Sequence, residues 1–238
     1  MPRLDVLVTR QGLAESRERA QALILAGKVQ VGGETVRRPD RSVSEDAAIS
    51  VESGPDFASR GALKLGPALE TFGVDPAGRI CGDIGASTGG FTDILLRRGA
   101  ARVYAIDVGR GLIHWRLRQD PRVVVIERVN ARALDAFPEP VSLLVVDVSF
   151  ISLEKVMPAL LRAAPGAEVV ALFKPQFEVG RTEVGKGGIV RDAAAVGAAL
   201  GRFRAWCEGH GYSISGEAPS ELPGAGGNRE IFLHLRPA

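Results

Sequence analysis

The stretch D-I-G-A-S-T-G-G-F-T-D-I-L, residues 83–95, joins an apolar run that reads as a strand, R-I-C-G-D, to a periodic run that reads as a helix. That helix follows Gly90 and ends near Gly99. A glycine-rich turn in this place lets the backbone lie against a ligand where no Cβ intervenes. Further apolar runs follow at R-V-Y-A-I-D, V-V-V-I-E, S-L-L-V-V-D and E-V-V-A-L-F-K, with a late pair around Ser213 and at E-I-F-L-H-L. Asp192 is a good N-cap for a helix reaching about Glu208. Continuous apolar strands alternating with helices predict a doubly wound, mostly parallel α/β sheet of seven strands, buried on both faces. Such sheets bind ligands beyond the carboxyl ends of their strands, where Asp83, Asp107, Asp147 and Lys174 all fall.

Upstream of Ser59 the pattern differs. Leu4, Leu7 and Val8 fit one face of a short helix; Ser16 can cap a second whose apolar face is Ala20, Leu23 and Ile24, and Gly27 stops it. K-V-Q-V-G-G-E-T-V supplies strand, turn and strand, with further β-like pieces around Val43 and at Ile49 and Val51. The punctuation of E-S-G-P-D-F-A predicts a linker. The expected division is a small α+β module over 1–52, a linker over 53–58 and the α/β domain over 59–238.

The 238 residues, 45% hydrophobic and 24% charged, suffice for a core of ordinary size and a second small module. No apolar run approaches the roughly 18 residues a membrane span needs, and acidic and basic residues break any signal-peptide core, so the expected compartment is the cytoplasm. Cys81 and Cys207 lack metal spacing and read as buried small hydrophobes. A net charge of +2 permits a polyanionic partner without requiring one.

The opening loop resembles three nucleotide-binding turns. The dinucleotide fingerprint G-x-G-x-x-G would begin at Gly85, but Ser87 stands where its second glycine must meet a pyrophosphate. G-R-T-E-V-G-K-G, residues 180–187, imitates a phosphate-binding P-loop, yet Gly187 replaces the hydroxyl that would hold magnesium. The remaining pattern is Asp83-x-Gly85-x-x-x-Gly89 with Asp107 closing the next strand. It suits a nucleoside ligand without phosphates, whose ribose hydroxyls one carboxylate can accept, and S-adenosylmethionine fits. An ordinary strand-to-helix turn, with both acids merely ending strands, stays open as the bland alternative.

S-R-G-A-L-K-L, residues 59–65, the opening loop, D-P-R-V-V-V-I-E-R-V-N-A-R, V-V-D-V-S-F-I-S-L, K-P-Q-F-E-V-G and G-N-R-E-I-F-L together closely resemble the TlyA family of ribosomal RNA 2'-O-methyltransferases. Its members join an S-four-type RNA-binding domain to an FtsJ-like, Rossmann-like methyltransferase domain, and the likeness spans nearly the whole chain. The resemblance implies a catalytic tetrad of Lys64, Asp147, Lys174 and Glu230. It implies S-adenosyl-L-methionine held by Asp83, Gly85, Ala86, Ser87, Thr88, Gly89, Gly90 and Phe91, with Asp107 on the ribose and Asn130 and Arg132 bordering the cofactor. Members known to modify both ribosomal subunits look longer at both ends, so the resemblance implies the short type, acting on 23S rRNA of the large subunit. Some members have been called haemolysins, which leaves a non-catalytic RNA-binding protein as the alternative.

The chemistry gives reasons for those residue types. A ribose 2'-hydroxyl is a poor nucleophile until its proton begins to leave, and in-line attack needs positioning. Lys174 would deprotonate or steer the hydroxyl and Lys64 assist electrostatically; Asp147 and Glu230 would hold amines and hydroxyl in line. His114, His210 and His234 form no triad or metal spacing; Trp115 and Trp206 read as helix packing, with Trp115 able to border the adenosine. In residues 1–52, eight Lys or Arg face eight Asp or Glu, so an RNA role there depends on pattern. Arg10, Arg17, Arg19, Lys28, Arg37, Arg38 and Arg41 would gather on one surface for phosphate contacts. The glycine-rich loop from Pro175 to Arg191 would close over RNA, with Arg181 and Lys186 as further contacts.

Overall fold

A computed structural model describes residues 1–14, 16–51, 57–59 and 61–238, which form two compact units, Met1–Asp56 and Phe57–Ala238. The expected linker lies, apart from Phe57 and Ala58, outside the described residues.

The first unit runs α1 (Leu4–Arg10), α2 (Arg17–Leu25), β1 (Val29–Val31), β2 (Glu34–Val36) and β3 (Ile49–Val51). The strands form an antiparallel sheet in the order β2-β1-β3. Ser16 caps α2 by accepting from the Arg19 amide at 3.1 Å. Leu4, Val8, Ala20, Ile24 and Val29 make the core. Around Val43 the expected β piece is a single bridge, Arg3 to Ser42, although Val43 itself is buried. Asp5, in the first turn of α1, is fully buried, with 0% exposure. Arg3 donates to its two oxygens at 3.1 and 3.0 Å, Arg17 at 3.0 Å and Gln21 at 2.7 Å. The Arg3 hydrogen bonds, helped by Gln21 and Arg17, hold its carboxyl well below the usual range against the opposing effect of burial.

The second unit continues α3 (Ala62–Phe72), β4 (Ile80–Ile84), α4 (Gly90–Arg97), β5 (Arg102–Asp107), α5 (Trp115–Arg118), β6 (Val123–Glu127) and β7 (Leu143–Val146). Then come α6 (Leu153–Ala163), β8 (Glu168–Phe173), α7 (Pro175–Glu178), α8 (Ala193–Gly209), β9 (Tyr212–Pro219) and β10 (Ile231–Pro237). Seven strands lie in the order β6-β5-β4-β7-β8-β10-β9, the first five parallel and β10 antiparallel to both neighbours. Alternation along each strand divides the core. Leu143 and Val145 of β7 meet the face covered by α3 and α4; Leu144 and Val146 meet the face covered by α6 and α8. Every residue of β7 is buried, which is why its sequence is apolar without interruption. Cys81 and Cys207 are buried free thiols, one on each face.

The histidines serve the packing. His114 Nδ1 accepts from the Arg116 amide at 3.3 Å, His210 stacks on Trp206 at 3.9 Å, and His234 contacts Glu168 at 2.7 Å while stacking on Phe72. The chain leaves β4 toward β5 on one side and returns to β7 on the other. That reversal opens a crevice at the carboxyl ends of β4 and β7.

Candidate active site

The turn after β4 is built around close approach. Gly85 takes φ +83°, and a Cβ there would stand 2.5 Å from the Asp147 carbonyl oxygen, so any side chain would push β4 and β7 apart. Ser87, where the dinucleotide motif wants glycine, also adopts a positive φ of 48°. Its amide donates to Asp107 Oδ2 at 2.8 Å, while the Gly109 amide donates to Oδ1 at 2.7 Å. Each oxygen of Asp107 keeps a second lone pair, so the carboxylate is fixed in direction yet able to accept two further hydroxyls.

Asp83 lies beneath the same turn. Thr92 donates to its Oδ2 at 2.6 Å, and Oδ1 is buried with no hydrogen-bond partner. Burial first, with Asp147 and Asp107 adding repulsion, pushes its pKa up to about 7 despite the Thr92 bonds. A bare carboxylate oxygen at the edge of a cavity suits a cationic group.

Two adjoining hollows, of about 560 and 450 Å³, share Gly85, Ser87 and Asp147 as walls. The first is lined also by Asp83, Ala86, Thr88, Gly90, Phe91 and Lys64, the second by Asp107, Asn130 and Arg132. Of the expected cofactor residues, Gly89 alone lines neither, and its Cα faces Leu117. Asn130 Oδ1 accepts from the Arg132 amide at 3.1 Å, and both side chains are exposed. Trp115 is exposed and lines neither hollow. Nucleoside and charged ends of one ligand thus have separate but connected spaces, and the residues fit S-adenosylmethionine.

Four charged side chains form two ion pairs beside these hollows. Lys64, in the first turn of α3, donates to Glu230 at 2.6 Å; Glu230 is 3% exposed and directly precedes β10. Lys174, directly after β8 and 8% exposed, has its Nζ 2.6 Å from Asp147 Oδ1, an approach not aligned as a hydrogen bond. The same amine donates to Ser149 Oγ at 2.9 Å. Antiparallel pairing of Ile231 with Phe173 brings Glu230 and Lys174 to one end of the sheet, although 56 positions separate them in the chain. Lys64 and Asp147, one member of each pair, line the same hollow.

Three features have no counterpart in the reading of the sequence. Phe150 is 91% exposed at a positive φ of 64°, and its ring lies 5.2 Å from that of Phe177. Ser149 lines the second hollow. Leu222, Pro223, Gly224 and Gly226 form a wall of the first. Phe150 stands in D-V-S-F-I-S-L among the apolar Val148, Ile151 and Leu153, so nothing in the sequence marked it as exposed.

The expected basic residues differ in their partners. All seven in the first unit are exposed, but Arg17 is drawn to Asp5, Arg10 meets Glu45 at 3.5 Å and Arg38 meets Asp40 at 3.2 Å. Arg19, Lys28, Arg37 and Arg41 make no ion pair among the described residues. The Arg37 guanidinium lies against Gly27, beside Lys28. In the second unit Arg181 and Lys186 are exposed on short 3-10 turns of the loop after α7.

A model of the FtsJ-like methyltransferase family matches residues 57–237, and one of the S4 domain matches residues 2–49. The chain is 48% identical over 239 residues to the 16S/23S rRNA (cytidine-2'-O)-methyltransferase TlyA of Mycobacterium tuberculosis, covering 98% of this chain and 89% of the relative. It is 36% identical over 179 residues to the 23S rRNA (cytidine-2'-O)-methyltransferase TlyA of Campylobacter jejuni, covering 75% and 70%. The solved structure of a candidate hemolysin from Streptococcus thermophilus superposes with a TM-score of 0.77 at 40% identity, over 100% of this chain and 88% of that one. Fold alone is shared with the magnesium protoporphyrin IX methyltransferase of Synechocystis, solved with S-adenosylhomocysteine: TM-score 0.51, 14% identity, 75% and 83% covered.

Proposed function

The chain belongs to the FtsJ-like methyltransferase family, in the TlyA group that carries an N-terminal S4 domain, and from that premise we propose that it methylates the 2'-oxygen of a cytidine ribose in ribosomal RNA, with S-adenosylmethionine as donor. One observation carries the reading: two lysine–carboxylate pairs flank a cavity whose floor is a glycine turn and whose neighbouring space ends on Asp107. When bound, S-adenosylmethionine supplies an electrophilic methyl group. Asp107 would take the ribose hydroxyls of the cofactor, Asn130 and Arg132 would border its base, and the bare oxygen of Asp83 would face its cationic end.

Lys174 would receive the proton of the ribose 2'-hydroxyl, with Asp147 beside it to orient both groups. Lys64, fixed by Glu230, would position the sugar and its phosphate electrostatically. The first unit would hold structured RNA through phosphate contacts, and the loop carrying Arg181 and Lys186 would add to them. The substrate we favour is 23S rRNA of the large subunit, since 23S is common to the names of the Mycobacterium and Campylobacter relatives. The working compartment would then be the cytoplasm.

The test is to incubate the protein and labelled S-adenosylmethionine with purified small subunits, large subunits and intact ribosomes, and to map the methylated nucleotide. Label on a 23S cytidine is the expected result; label on 16S alone would reverse the choice of subunit, and none anywhere would leave an RNA-binding protein. Lys174→Ala should lower the rate by about 10²- to 10⁴-fold, the usual contribution of a general base, while cofactor affinity is kept.

A further inference from the structure

Lys174, the amine assigned to the 2'-proton, lines neither hollow; it reaches the ligand space only beside Asp147 and Ser149, which do. Asp147 pairs with it at 2.6 Å without hydrogen-bond alignment, and Ser149 is the group toward which the amine directs an N–H, so the two orient it together. The Ser149 oxygen accepts from Lys174 at 2.9 Å, and among the described residues its own hydrogen goes to no protein acceptor. Ser149 is exposed and lines the second hollow close to Asp147, the residue shared with the first. A hydroxyl in that state is a donor waiting for an acceptor from the ligand side, polarised by the amine behind it.

Its loop is held on both flanks. Ser152 caps α6 by accepting from the Glu154 amide at 3.2 Å. Glu178, at the end of α7, accepts from the Leu153 amide at 2.8 Å, and Phe177 packs on Phe150. The segments D-V-S-F-I-S-L and K-P-Q-F-E are therefore joined at three successive places, which removes the freedom a loop serine would otherwise have. A donor fixed in this way needs no reorganisation when charge develops in front of it.

On the methyl-transfer reading above, we infer that Ser149 is a further catalytic residue, whose hydroxyl donates a hydrogen bond to the ribose 2'-oxygen as negative charge grows there. No bond to Ser149 forms or breaks. Lys174, an ammonium in its pair with Asp147, must first give one proton to solvent; the lone pair so freed takes the proton leaving the 2'-oxygen, and the amine keeps an N–H for the Ser149 oxygen.

Ser149→Ala and Ser149→Thr in the full chain, assayed on large ribosomal subunits with labelled S-adenosylmethionine, test the assignment. The alanine variant should lose about 10²-fold in kcat, the scale found for one oxyanion donor, with KM for the subunit and Kd for S-adenosylmethionine unchanged. The threonine variant, which keeps a hydroxyl, should recover most of the rate. Wild-type kcat in the alanine variant, a change in KM alone, loss of cofactor binding, or a threonine variant as slow as alanine would each overturn the role of Ser149. If wild-type protein binds S-adenosylmethionine yet labels no subunit, the methyl-transfer reading itself fails, and Ser149 with it.

Discussion

Asp83 has one oxygen bonded by the Thr92 hydroxyl and the other bare, and its pKa is pushed up to about 7, chiefly by burial. A carboxyl whose folded pKa lies above its unfolded value stabilises the fold fully at low pH and withdraws that stability as pH rises through the folded value. The ligand-free protein should therefore lose stability from about pH 4 to about pH 7 through this group, and Asp83→Asn should remove that share of the slope. The ionised form is the one a cationic ligand meets, so S-adenosylmethionine affinity should rise over the same interval and binding should release a proton at about pH 6. Thermal melts and calorimetry in buffers of different ionisation enthalpy measure both; equal slopes in variant and wild type would dismiss Asp83 as the source. Asp83, Asp107, Asp147 and Lys174 were legible in the sequence because a polar residue ending an apolar strand is itself a signal. Asp5 was not. An acid in the first turn of a helix ordinarily faces solvent and the helix dipole, and nothing local shows that this one is buried and claims Arg17, which the sequence assigns to RNA.

Among the elements, the two glycine-rich loops around residues 180–190 and 222–228 are tied by Asn228, which is buried. Its Oδ1 accepts from the Val190 amide at 2.9 Å, its Nδ2 donates to the Gly188 carbonyl at 2.8 Å, and its own carbonyl accepts from the Gly224 amide at 2.9 Å. Gly224 lies directly against the Glu230 carboxylate, so this tie also sets the seat of the Lys64–Glu230 pair. Asn228→Ala would remove the hydrogen bonds to the Val190 amide and the Gly188 carbonyl, which are not buried, a loss of about 0.5–1.5 kcal/mol for each bond. Hydrogen exchange should quicken at Val190 and through 222–228, and methylation should fall more than cofactor binding. Unaltered exchange in both loops would show that other interactions hold them. The inner strands β4, β5, β7 and β8 were readable because burial on both faces demands apolar runs, while β9, an edge strand of alternating exposure, could be placed only around Ser213; the caps at Ser16 and Asp192 were readable because capping is local. The segment after Lys174, by contrast, reads as a loop although it folds into α7 and 3-10 turns, since its order comes from a partner 38 positions from Val190. Near Val43 the error runs the other way: a β-favouring pattern meets only a single bridge, because Arg3 and the chain before α1 offer no strand to pair with.

At the scale of the whole molecule, the two units have separate cores, and no buried residue of one belongs to a core cluster of the other. Both hollows of the candidate site are lined only by residues of the second unit, so cofactor affinity should not depend on charges in the first. RNA affinity should. The balance of acids and bases in residues 1–52 hides which cations are available, and the structure sorts them: Arg3 and Arg17 serve Asp5, Arg10 and Arg38 face acids, and Arg19, Lys28, Arg37 and Arg41 stand without ion pairs among the described residues. Replacing Lys28, Arg37 and Arg41 together with Ala removes cations that make no ion pair among the described residues, a cleaner test than removing Arg17, which holds Asp5. Each phosphate left without its cation should reduce the slope of log K against log salt by about 0.7 to 0.9, so the triple variant should bind large subunits more weakly and with a slope flatter by up to about 2 to 3. Filter binding from 50 to 300 mM salt reads the slope, and calorimetry with S-adenosylmethionine alone should return the wild-type Kd. An unchanged slope would mean that RNA is held elsewhere, with the exposed Arg181 and Lys186 the next cations to remove; a weakened cofactor Kd would mean that the first unit reaches into a site its own residues do not line.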